Sequence, residues 1–172
     1  MRGRRHKIEI ESWLAASAGL AVALVVQTAF IPGLLPGVSG IEPVYGLAVC
    51  LAILGHRVEA LAAALAGCLA LYALTVQFIG LNALSLSAVA LSALAMQKNL
   101  VKDTLVAPAA IMFGGYILKE LIYLFVLISV GLKLIPARVA AQLAFSAVVN
   151  TLLGSAVYWL LHFKLGLRVR VD

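Results

Sequence analysis

Lys119 and Glu120 are the residues best placed to do chemistry, because they fall near the middle of an otherwise uncharged apolar run, Thr104–Gly131. At about 1.5 Å of rise per residue this run crosses a hydrocarbon core of about 30 Å as one helix. A charge at that depth costs about 2.5–3.5 kcal/mol on insertion scales, so it is turned inward, paired or put to work. At about 100° per residue, Tyr116, Lys119, Glu120 and Tyr123 fall within one arc of about 100°, which gives the helix one polar side that another element must cover.

The spacing nominates the last span, Val139–Leu161, as that cover. It follows a short connection through Lys133, Pro136 and Arg138 and therefore runs back antiparallel. Asn150 is near its middle, with Ser146 and Gly154 one turn to either side and Gln142 beyond. Glu120 precedes Gly131 by about as many residues as Asn150 follows Arg138, so the hairpin sets them at one depth. A contact of Glu120 or Lys119 with the Asn150 face is expected. Such a contact is either helix glue, at about 0.6 kcal/mol per intramembrane hydrogen bond, or part of a transport site, and the lack of further buried acids favours glue.

The elements that must position these residues follow from composition. The chain has 172 residues, 64% of them hydrophobic and 12% charged, with a mean hydropathy of +1.10. Soluble domains average about 25% charged residues, so the pattern describes one integral membrane domain. The run from Ser12 resembles a signal-peptide core but is long and lacks a small-residue cleavage site, so it reads as a retained helix. The formal charge of +6 collects at the ends, in Arg2, Arg4, Arg5 and Lys7 and in Lys164, Arg168 and Arg170. No aromatic-interleaved basic patch suits a nucleic acid. Cys50 and Cys68 lie in apolar runs and read as packing residues, not as a disulfide or metal ligands.

Six spans are expected, at about residues 12–30, 43–54, 60–76, 83–96, 104–130 and 139–161, flanked by basic tails at 1–11 and 162–172. Pro32 and Pro36 mark a non-helical loop after the first span. Ala15, Gly19 and Ala23 recur at four-residue spacing, a small-residue stripe that suits packing in the bundle or against a partner helix. The second span is too short to cross alone and is expected to be buried, with the preceding loop folded in. Gln77, Gly80 and Asn82 are expected to break the long uncharged run after Glu59. The third and fourth spans, rich in Ala, Gly and Ser, read as thin interior packing helices. Most of the thirteen Lys and Arg fall on one side. The positive-inside rule then places both termini in the cytoplasm, with Trp13 and Trp159 in the interfacial belt at that face.

Nothing in the sequence supports an enzyme or a cofactor. His6, His56 and His162 fall at helix ends without a second ligand or a usefully spaced acid, and read as solvated interface residues. Phosphate-loop and nucleophile-elbow patterns are missing.

The order of several stretches resembles the rod-shape-determining protein MreD family of bacterial inner-membrane proteins, from about Val25 to Leu165. The resemblance is carried by Val-Val-Gln-Thr-Ala-Phe-Ile-Pro (25–32), by Pro43 and by Gly67 within 64–69. Ile-Gly-Leu-Asn-Ala-Leu (79–84), Lys119-Glu120-Leu-Ile-Tyr123 and Val149-Asn150-Thr-Leu-Leu-Gly154 complete it. Val44 and Leu71 stand where many family members carry acids. The resemblance implies a multi-pass, non-catalytic member of the machinery that elongates peptidoglycan. It would contact MreC and, through it, MreB, RodA and a class B penicillin-binding transpeptidase. The family is also similar in fold to the S-components of energy-coupling-factor vitamin transporters. In that alternative Lys119, Glu120 and Asn150 line a vitamin pocket, and Ala15, Gly19 and Ala23 dock the coupling subunit.

Overall fold

The computed structural model describes residues 2–34, 40–74, 79–96, 106–131 and 136–164. Among the described residues all regular structure is helical: α1 (Arg2–Val25), a π-helical turn (Val26–Phe30), α2 (Ile31–Leu34), α3 (Pro43–Ile53), α4 (Arg57–Leu74), α5 (Ile79–Met96), α6 (Val106–Ser129), α7 (Pro136–Trp159) and a closing π turn (Leu160–Lys164). Three stretches, Arg57–Leu74, Val106–Ser129 and Val139–Phe163, are long and apolar enough to cross a membrane. Ala16–Phe30, Pro43–Ile53 and Gly80–Met96 are shorter apolar helices.

The bundle is organised around α3. Every residue from Val44 to Ile53 is buried, and α1, α4, α5, α6 and α7 all pack against it. A helix that is apolar all round is stable only when enclosed on every side, and α3 is. Its C-terminus closes with Gly55 at φ 83°, where Gly55 N–H reaches Ala52 O at 3.0 Å and His56 N–H reaches Leu51 O at 3.0 Å. This paired arrangement satisfies the last carbonyls and turns the chain into α4, whose first bond runs from Ala60 N–H to His56 O.

Around α3 the usual soluble pattern is inverted. α4 turns Ala60, Ala63, Ala64, Gly67 and Cys68 inward and leaves Leu65, Leu69 and Tyr72 exposed. α6 and α7 likewise expose Phe113, Leu121, Phe125, Phe145 and Leu152. Small residues inside and large apolar ones outside suit lipid, where association depends on close backbone approach. Three approaches show it. A Cβ on Gly46 would come within 3.3 Å of the Gly154 backbone, one on Gly154 within 2.7 Å of Met112 Sδ, and one on Gly67 would collide with Val44 Cγ1.

Several boundaries differ from expectation. α1 begins at Arg2, so residues 2–11 are helical and continue the first span rather than forming a separate tail. Helix also runs past Phe30 into the stretch read as loop. The π turn moves the Ile31 N–H to Val26 O, and Pro32 enters a fresh single-turn helix, where its missing N–H costs little. Gly80 and Asn82 lie within the first turn of α5 and do not break it; Gln77 lies outside the described residues, as do Pro36, the 97–105 segment, Lys133 and residues 165–172. α4 starts at Arg57 with Glu59 in its first turn. The third and fourth spans are also not wholly interior, since α4 and α5 each keep an exposed large-residue face.

The small-residue stripe faces the bundle. Ala23 is buried and a Cβ on Gly19 would meet Leu47 Cδ1 at 3.1 Å, so α3 covers this stripe from within. Ala15 is in α1, but its side chain is not among those described.

Candidate functional site

The site is assembled where α3 begins. Glu42 is the residue before the first helical turn, and Pro43 occupies that turn without an N–H to satisfy. The backbone donors on either side of Pro43 point toward neighbouring helices, where side chains accept them. Asn150 Oδ1 on α7 accepts the Glu42 N–H at 2.6 Å, and Gln27 Oε1 in the π turn accepts the Val44 N–H at 3.3 Å. The Asn150 amide donates to Gly40 O at 2.5 Å and to Ser146 O at 2.8 Å. Tyr116 on α6 donates its hydroxyl to the same Gly40 carbonyl at 3.1 Å. Gly40 itself has φ 96°, and a Cβ there would collide with Ser146 Oγ, so the close approach of this segment to α7 requires glycine.

Lys119 is 4% exposed and lies over the Tyr116 ring, 5.2 Å from its centroid. Its ammonium donates to Glu42 Oε1 at 2.6 Å and to Glu120 Oε1 at 2.9 Å. One lysine therefore bridges two carboxylates, one from its own helix and one from the start of α3. Glu42 also stands beside the positive end of α3, where a negative side chain is favoured. Below this layer Tyr45 and Tyr116 meet edge to face at 5.4 Å, and Tyr45 donates to Met112 O at 2.5 Å. Cys50 Sγ approaches Gly154 O at 3.2 Å, a packing contact within the α3–α7 crossing.

A cavity of about 400 Å³ adjoins the cluster. Glu42, Glu120, Tyr123, Gln142 and Ser146 contribute to its wall, together with apolar Leu124 and Leu143. Of the residues expected to form an intramembrane polar group, Tyr116, Lys119, Glu120, Tyr123 and Ser146 all line this cavity. Asn150 lies at the same level, joined to Lys119 through the Gly40–Glu42 segment. The sequence alone gives Glu42, Gln27 and Gly40 no role in this site. Two signals pointed to them: a span too short to cross, and an acid directly before the proline that opens it.

His56 departs from the expectation of a solvated residue. It is 2% exposed, and its Nδ1 lies 3.4 Å from Glu59 Oε1, one turn into α4. Burying the α3–α4 turn under neighbouring helices brings both inside. His162 is half-buried and stacks on Tyr158 at 5.5 Å, while the side chain of His6 is not among those described.

Chemically the cluster offers neither a nucleophile beside a base nor, among the described residues, three metal-ligating side chains in one place. It is an ion-paired junction within an all-helical bundle that has helices able to cross a membrane. Comparison with protein-family models, with curated proteins and with solved structures returns no match.

Proposed function

We propose that this chain is a non-catalytic membrane scaffold of the bacterial cell-elongation machinery, binding MreC and helping to organise peptidoglycan synthesis. The supporting observation is spatial. Most of the stretches that carry the resemblance to the MreD family are scattered along the sequence, yet they converge on α3 and the residue before it. Gln27 accepts from Val44, Gly67 meets Val44, Lys119 pairs with Glu42, Asn150 holds Glu42, and Gly154 crosses Gly46. These residues are spent on building the bundle, which leaves lipid-facing surfaces rather than a catalytic centre to meet other proteins. In this reading the chain crosses the bacterial inner membrane six times, with both termini in the cytoplasm beside the clustered Lys and Arg.

One observation favours a second reading, a substrate-binding S-component of an energy-coupling-factor vitamin transporter: the cavity beside Glu42 and Glu120. Affinity purification of the tagged protein from mild detergent separates the two. Recovery of MreC with cell-wall synthases supports the scaffold. Recovery of a coupling subunit with its ATPases replaces the scaffold with the transporter.

A further inference from the structure

The segment that opens α3 lies deep in the bundle. Gly40–Glu42 is not helical, yet it meets Lys119 and Asn150, which stand near the middle of α6 and of α7. From that level α3 runs toward the C-terminal half of α7, where Gly46 crosses Gly154. It rises about 16 Å, against about 36 Å for α6, so it fills only part of the height of the bundle. The cavity of about 400 Å³ extends in the other direction. Its wall includes Asn82 in the first turn of α5, Val139 in the first turn of α7 and Leu124 within the last two turns of α6. The cavity thus runs from Lys119 to the end of the bundle where α5 and α7 start and α6 stops.

What fills this space follows from its wall. Glu42 and Glu120 are 24% and 22% exposed beside it. An acyl chain laid against two carboxylates would strip their hydration, which is costly at this depth. Non-helical backbone within a membrane span is tolerated only inside protein or along a water-filled cavity, and Gly40–Glu42 is such backbone. The volume is far above the roughly 10–15 Å³ that one water needs, and Glu42, Glu120, Tyr123 and Gln142 supply polar partners. We infer that the cavity is an aqueous vestibule, which brings water and small polar solutes from one end of the bundle down to Lys119 in the middle of the membrane. It is blind, because beyond Lys119 the side chains of Tyr45, Met112 and Tyr116 are buried and close the path. The inference requires α6 and α7 to span the bilayer and rests on neither the scaffold nor the transporter reading.

The test is cysteine accessibility in the full chain reconstituted into liposomes. Small charged methanethiosulfonates, one anionic and one cationic, are applied on both sides of the membrane, and modification is read by mass spectrometry. Cys50 and Cys68 are 0% and 5% exposed, so the wild-type chain serves as the blank. Glu120 and Leu121 are neighbours at one depth, the first on the cavity wall and the second exposed on α6. Leu124 and Phe125 form the same pairing one turn nearer the end of the helix. Glu120→Cys and Leu124→Cys should react with at least one reagent roughly tenfold faster than Leu121→Cys and Phe125→Cys, because charged reagents do not enter hydrocarbon. Glu42→Cys reports the same depth if Glu120→Cys does not fold. Equal rates at Leu124→Cys and Phe125→Cys overturn the inference, whether the cavity is sealed or holds an acyl chain. So does reaction at Leu124→Cys with none at the folded deep variant, since the water path then stops short of Lys119.

Discussion

Asn150 on α7 accepts the backbone N–H of Glu42 at 2.6 Å, across 108 residues of sequence. The same side chain donates to Gly40 O and to Ser146 O, so one amide fixes the segment that opens α3.

Replacing Asn150 with Leu leaves the Glu42 N–H and the Gly40 carbonyl without this partner. A loss of about 1–3 kcal/mol is expected, the usual cost of stranding buried polar groups. Thr151→Val is the control, because Thr151 Oγ1 bonds to Ala147 O within its own helix. Thermal unfolding in detergent should show a clear drop for the first variant and little for the second; similar drops would mean that the 40–42 segment is held by something else.

Lys119→Met strands two carboxylates, whereas Lys119→Met combined with Glu42→Gln and Glu120→Gln strands none. Breaking a buried pair from one side costs about 3–5 kcal/mol in enclosed sites, and the partial exposure of both acids puts this case at or below the lower end. The single variant should therefore unfold at lower temperature than the triple one. The reverse order would remove the ion pairs as the reason these residues are tolerated.

Gly67→Ala should be costly, because Val44 is β-branched, stiff and directly in the way. Overpacking of this kind costs about 1–3 kcal/mol. Adding Val44→Ala should recover most of it. Gly154→Ala should be milder, since the atom it meets belongs to the flexible Met112 side chain. A double variant no more stable than Gly67→Ala would place the strain elsewhere.

Gly19→Leu should reduce folded yield itself, because its Cβ points at Leu47. Val22 and Val25 are exposed on the same helix. Changing them to Ala should leave stability within about 0.5 kcal/mol, as for exposed positions generally, and alter only what co-purifies. A wild-type midpoint for Gly19→Leu would return the stripe to the lipid-facing surface.

What could be read from the sequence depended on fixed helix geometry. The shared depth of Glu120 and Asn150 follows from constant rise along two antiparallel helices, and the enclosure of α3 follows from an apolar helix too short to cross. Glu42 is not legible as part of the site because an acid in a stretch rich in Pro and Gly has no helical register, and only the partner helices show that Lys119 and Asn150 meet it. Asn82 and Gly80 escaped because helix propensity is a weak prior that packing overrides. His56 was misjudged for a related reason: sequence places it at a helix end but does not show that other helices cover that end.

The enclosure of α3 also sets an order of assembly. A helix of eleven residues rises about 16 Å, too little to hold its own place across a hydrocarbon core of about 30 Å. Its first donor waits for Asn150, and its crossing at Gly46 waits for Gly154, both on α7. Ribosomes make α7 after every other helix described here. The contacts that hold the start of α3 thus join an early part of the chain to its last long helix. The enclosure of α3 is therefore complete only once α7, the last long helix of the chain, is in place.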